Sequence, residues 1–238
     1  LIDVTVNGVK GRFILDTGAD GIILDDRFAD KANAAPLKGG SQGYTIYGEV
    51  PIRVRRTSSI SLGGATLHDA LVYSEDFRRE DARGLDREAY DGLIGFDLFA
   101  AAIVKLDVYA SQITILDPLD DLSSEKGLPI LVDVSDGIPT IPMVLNKTID
   151  VNAMLDTGNP GIIFFGPDLR KKRGLKIPEC GVLSSLTIGP ITYANEQACE
   201  LGFAANYMLL GFDFLKHFNF VFDYPHGRMF MTPNKNQT

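Results

Sequence analysis

The chain has 238 residues, with 23 Lys and Arg against 31 Asp and Glu and a formal net charge of −8; that balance argues against a nucleic-acid partner, because no basic stripe offsets repulsion from a phosphate backbone. Its apolar fraction of 45% is that of a soluble globular protein, long enough to bury a real core in one large domain or two ordinary ones. The longest apolar run, Leu98 to Val104, falls far short of the roughly eighteen residues a membrane helix needs, so no membrane span is expected.

The chain opens on Leu1 in what already reads as a strand, and an upstream segment is expected to have been removed. Ile2 to Val6 and Val9 to Leu15 alternate in polarity around Asn7-Gly8, a strong hairpin signal. Asp16-Thr17-Gly18 follows, then a short helix from Asp26 to Ala32. Gly39 to Val54, where glycines flank two tyrosines, reads as a mobile hairpin, and the charged run Phe77 to Glu88 as a solvated surface loop. Leu93-Ile94-Gly95 precedes a short helix that Asp97 is expected to cap, and Gln112 to Leu116 reads as a strand. Asp117 to Pro129, rich in charge, Pro, Ser and Gly, reads as a linker. Beyond it come a second hairpin (Met143 to Leu145, Asn146-Lys147, Thr148 to Leu155), then Asp156-Thr157-Gly158 and a helix from Pro167 to Arg173. Leu209-Leu210-Gly211, with Asp213 as a second helix cap, and a strand from Arg228 to Thr232 complete the series.

The order of these features is the same in both halves. DTGADGII at Asp16 to Ile23 aligns without a gap onto DTGNPGII at Asp156 to Ile163, and LIGFDLF at Leu93 to Phe99 onto LLGFDFL at Leu209 to Leu215. A lone Asp-Thr-Gly arises by chance about once in five thousand positions on average residue usage, which makes one copy weak and two in matched context strong. Turn formation alone would require neither Thr nor the later apolar-apolar-Gly triplet in both halves. The repeat predicts two domains, 1–120 with the first motif and 121–238 with the second.

This pattern resembles the pepsin and retropepsin superfamily, and most closely bacterial retropepsin-like peptidases with two lobes in one chain. DTGA at Asp16 to Ala19 is the retroviral-style form of the motif, and the apolar-apolar-Gly triplets match the segment that packs behind the active-site loop in that family. The resemblance implies a mostly β, bilobal acid-protease fold with a few short helices, whose last strands contribute to a sheet joining the lobes. It also implies a catalytic pair, Asp16 and Asp156, at the lobe interface, with Thr17, Gly18, Thr157 and Gly158 supporting the two loops. Tyr44, Ile46, Tyr47 and Gly48 would belong to a flap over a peptide bound in extended conformation. The second half has no segment long enough for another such hairpin, so a single flap is expected.

The chemistry has its own logic. Hydrolysis of a peptide bond without a metal, Ser or Cys requires a base to activate water and an acid to protonate first the carbonyl oxygen and then the leaving amine. Two carboxyls that share one proton supply both, because like charges held close do not both ionise easily. No cofactor is needed, and with both aspartates in one chain a monomer suffices for catalysis. The Ala19 side chain donates no hydrogen bond, whereas an inward Asn159 amide would, so the two aspartates are expected to be unequal, with Asp156 the more readily ionised.

Cys180 and Cys199 have no third ligand nearby for zinc; they are either bonded to each other in an oxidising compartment or two separate buried thiols. His68, His217 and His226 are scattered and suggest neither a metal site nor a triad. Many proteins of the resembled kind are exported, which makes the periplasm or the exterior the expected location. The competing reading is a non-catalytic peptide-binding or regulatory protein that keeps the fold.

Overall fold

The computed structural model describes residues 1–45, 48–77, 90–127, 129–135, 138–202 and 207–234. The chain is mostly β with four short helices among these residues, and it divides into two compact units, Leu1–Asp97 and Leu98–Thr238.

In the first unit, β1 (Ile2–Val6) and β2 (Val9–Leu15) form the expected hairpin, with Val6 opposite Val9 and a two-residue turn at Asn7-Gly8. Both turn residues have positive φ, 49° and 82°, the conformation whose twist suits two antiparallel strands. Burial alternates along β2, so that Gly11, Phe13 and Leu15 face the core. The chain continues through β3 (Ile22–Asp25), α1 (Asp26–Lys31), β4 (Ala35–Thr45), β5 (Gly48–Leu62), β6 (Ala65–Glu75) and β7 (Gly92–Ile94). The Asp25 carboxylate accepts from Arg27 N–H at 3.1 Å and starts α1, which buries Phe28 against Phe13 with ring centroids 5.4 Å apart.

The sheet order is β1-β2-β7-β3-β6-β5-β4; because β1 also pairs with β5, six strands close into a ring and β4 lies outside it. The predicted hairpin at Gly39 to Val54 is the paired region of β4 and β5, with Thr45 opposite Gly48. Buried Arg55 braces it at the base, donating to Ser74 Oγ at 2.9 Å and to Asp30 on α1 at 2.6 Å. Residues 78–89, most of the expected charged loop, lie outside the described residues.

α2 (Phe96–Ala101) leads into the second unit. There the chain forms β8 (Ile103–Asp107), β9 (Gln112–Leu116), β10 (Ile130–Leu131), β11 (Thr140–Leu145), β12 (Ile149–Asp156), β13 (Ile163–Phe165), α3 (Pro167–Arg173) and β14 (Cys180–Leu183). It ends with β15 (Leu186–Ile188), β16 (Ile191–Tyr193), β17 (Glu196–Glu200), β18 (Met208–Gly211), α4 (Phe212–Leu215), β19 (Phe218–Asp223) and β20 (Arg228–Pro233). One sheet runs β14-β17-β13-β18-β12-β11-β15-β16 and carries the second hairpin, whose turn residues Asn146 and Lys147 have φ 48° and 67°. β14 is its edge strand, so no counterpart of β4 is present among the described residues.

A second sheet, β10-β20-β19-β8-β9, combines the last two strands of the first repeat with the last two of the second. It is held by aromatic packing, including Phe99 edge-on to Phe222 at 5.3 Å and Phe220 stacked on Phe222 at 5.2 Å. Cys180 and Cys199 lie opposite each other on β14 and β17 and are disulfide-bonded, which resolves the two alternatives open in the sequence.

Candidate active site

Each Asp-Thr-Gly sits where its first strand leaves the sheet. β2 runs parallel to β7 and carries the chain to Asp16, whose N–H donates to Ile94 O at 2.9 Å; β12 runs parallel to β18, and Asp156 is its last residue, opposite Gly211. In both loops the aspartate Oδ1 accepts from the N–H of the glycine two residues on, Gly18 at 2.9 Å and Gly158 at 3.0 Å. This turn is the local preference of Asp followed by a small, flexible residue, and it fixes the carboxylate plane relative to the backbone. The residue after each glycine closes the loop: Ala19 N–H donates to Asp16 O and Asn159 N–H to Asp156 O, both at 3.3 Å. Their carbonyls then accept from the next segment, Ala19 O from Phe96 N–H at 2.9 Å and Asn159 O from Phe212 N–H at 2.7 Å.

The apolar-apolar-Gly triplets are part of this construction. A Cβ on Gly95 would lie 2.4 Å from Gly21 O, and one on Gly211 would lie 2.2 Å from Gly161 O. Only glycine lets the strand end lie against the loop, so the motif pairs found in the sequence are the two sides of one contact. Thr17 is buried at 1% exposure, and Asp156 and Asn159 are buried, while Thr157, Gly18, Gly158 and Asp16 are half-buried. Asn159 donates its backbone N–H to Asp156 Oδ1 at 3.0 Å, and its own Oδ1 accepts from Gly161 N–H at 2.8 Å.

Two expectations need correction. Asp97 and Asp213 do not cap the helices that follow their glycines. Asp97 sits in the first turn of α2 and its carboxylate accepts from Ile22 N–H at 2.9 Å, tying the helix to the outgoing strand of the Asp16 loop. Burial raises the Asp97 pKa above the ordinary carboxylate value, the Ile22 bond opposes the shift and the charge of Asp20 adds to it. Asp213 pairs with Lys216 at 2.6 Å, and the residue at the start of α4 is Gly211.

The structure also reveals correspondences beyond the motifs. Asn7 Oδ1 accepts from Ser58 N–H and Oγ–H, both at 2.8 Å, and Asn146 Oδ1 accepts from Ser184 N–H and Oγ–H, both at 2.9 Å. Each hairpin turn is thus anchored by the same Asn to a Ser-Ser pair. Tyr207, which begins the approach to β18, was not singled out in the sequence; its hydroxyl pKa is raised by burial and, second, by the charge of Asp156.

Of the residues expected over the substrate, Tyr44 and Gly48 have paired backbones in the β4-β5 hairpin, whereas Ile46 and Tyr47 lie outside the described residues. No helix is long and apolar enough to cross a membrane among the described residues. Among them, too, no group of three or more His, Cys, Asp or Glu is arranged to hold a metal ion. In comparison with known families, residues 2–98 match the model described as aspartyl protease. The comparison with curated proteins returned no match.

Proposed function

We propose that this chain is an aspartic endopeptidase that hydrolyses peptide bonds with one water activated between Asp16 and Asp156. The observation that carries the reading is the equivalence of the two loops. Each aspartate is held through Oδ1 by the glycine N–H two residues on, and each loop is backed by a glycine that admits no side chain. The aspartyl protease match over residues 2–98 includes the first of these loops, and the second repeats its hydrogen bonds.

In this mechanism one carboxylate takes a proton from the water as it attacks the scissile carbonyl carbon, while the other, protonated, donates to the carbonyl oxygen. The resulting tetrahedral diol collapses as the carboxyl that took the water proton passes it to the amine nitrogen, the C–N bond breaks, and the other carboxylate takes the proton of the diol hydroxyl that becomes the product carbonyl. The pair then again holds one proton, and its titration belongs to both carboxyls together. Thr17 and Thr157 keep the loops in place, and the β4-β5 hairpin, with Tyr44, Ile46, Tyr47 and Gly48, covers a peptide bound as an extended strand. One chain supplies both aspartates, so the monomer is competent. A location outside the reducing cytoplasm, periplasmic or secreted, accords with the Cys180–Cys199 bond.

The test is digestion of denatured casein and a peptide library between about pH 3 and pH 7, by wild type, Asp16→Asn and Asp156→Asn. We expect each substitution to reduce cleavage by at least about a thousandfold, the scale on which positioned acid–base groups act. Cleavage by either variant at the wild-type rate would refute the pair. Binding of peptides with no cleavage by any of the three would indicate a non-catalytic peptide-binding protein.

A further inference from the structure

The helix α3 and the residues after it concentrate positive charge in an otherwise acidic chain. Five of the 23 basic residues, Arg170, Lys171, Lys172, Arg173 and Lys176, fall within seven positions. Arg170 pairs with Glu200 at 2.5 Å and Lys172 with Asp168 at 2.8 Å. Lys171, Arg173 and Lys176 are exposed and make no ion pair among the described residues. Cations in a last turn complement the helix dipole, but that effect falls off within the turn, and Lys176 lies beyond the end of α3.

These side chains line two concavities on either side of α3. One is a groove of about 630 Å³ walled by Arg173, Leu169, Val151 and Tyr207. Its origin is visible by comparison with the first unit, where Phe28 packs on Phe13 above Gly11. The position that aligns with Gly11 is Val151, and α3 offers Leu169 where α1 offers the Phe28 ring; both Val151 and Leu169 line the groove. Tyr207, on one wall of the groove, directly precedes β18, whose Gly211 lies opposite Asp156; its hydroxyl pKa is raised by burial and, second, by the charge of that carboxylate. The other concavity, about 410 Å³, presents Lys171 and Lys176 beside Ile177.

We propose that α3 and the residues following it form a secondary substrate-binding site, in which Lys171, Arg173 and Lys176 take an acidic stretch of the same polypeptide whose scissile bond lies at Asp156. The inference rests on the peptidase reading. The groove that holds Arg173 is lined by Val151 and Asn152 of β12, the strand that ends at Asp156, and the neighbouring concavity holds Lys171 and Lys176. That continuity favours a polypeptide over a lipid surface or a free anion. Asp133 and Asp150 also face the groove, so they confine acidic side chains to its α3 side.

The experiment compares a cleavable core peptide with the same core extended by four Glu or by four Ser, at either end. For wild type, KM of a Glu-extended peptide should be roughly tenfold below that of its Ser counterpart with kcat unchanged, and 0.5 M NaCl should abolish the difference. Lys171→Glu/Arg173→Glu/Lys176→Glu should remove or invert the preference, and the milder Lys171→Gln/Lys176→Gln should halve it or more, with thermal midpoints confirming that both fold. A preference unchanged in the triple variant, or association with phosphatidylglycerol vesicles without any preference among peptides, would overturn the proposal. If no peptide is cleaved, anisotropy of the fluorescein-labelled Glu-extended peptide separates the two readings. Binding that the triple variant loses keeps the basic site while the peptidase reading fails, and absence of binding by wild type removes the site itself.

Discussion

At the scale of single residues, Asp97 shows how a charge can be misassigned from its position in a motif. Its place two residues after Gly95 suggests a helix cap, but its carboxylate accepts from Ile22 N–H in a partly desolvated setting that raises its pKa. The folded state therefore holds the Asp97 proton more tightly than the unfolded state. This contribution to stability is present below the unfolded pKa and is lost as pH rises through the folded one. Asp97→Asn keeps an oxygen acceptor for Ile22 and removes the ionisation, so its stability relative to wild type should improve as pH rises from about 3 to 7. Urea denaturation of both proteins across that range is the check; a constant difference between them would show that ionisation of Asp97 does not matter. The two Asp-Thr-Gly loops, by contrast, were legible because their hydrogen bonds are local, between residues two or three apart. The Asn146 anchor was not, because its Ser184 partner is 38 residues away and neither type is distinctive alone.

Among the elements, hairpins and short helices were read closely, since Asn7-Gly8 and Asn146-Lys147 mark turns by residue type and the flanking alternation sets the strands. The divided β14 to β17 region was less legible because its strands are only three to five residues long. The disulfide is the covalent tie of this region, joining edge strand β14 to β17. Replacing both cysteines by Ser should lower unfolding stability by about 3 kcal/mol, the chain-entropy value for a loop of this length. Chemical denaturation of the oxidised wild type, the reduced wild type and the double variant would measure it. Equal midpoints for all three would mean that the strand pairing needs no such tie.

For the molecule as a whole, the repeat was the most informative reading, and the structure extends it from two motifs to matching strand order. In each unit the strand before the aspartate runs parallel to the strand ending in the apolar-apolar-Gly triplet, and that strand runs antiparallel to the one that leaves the loop. The resemblance implies a sheet built from the last strands, but the repeat does not say which of them pair: β8 of the first repeat lies against β19 of the second, and partner choice there depends on aromatic packing over long sequence separation. The central claim is that one chain supplies a complete pair of catalytic aspartates. Its most direct test is calorimetric titration with a peptide in which a secondary alcohol replaces the scissile carbonyl, mimicking the tetrahedral species. The account predicts one inhibitor bound per chain, with affinity lost by at least about a hundredfold in both Asp16→Asn and Asp156→Asn; one inhibitor per two chains, or binding indifferent to either substitution, would contradict it.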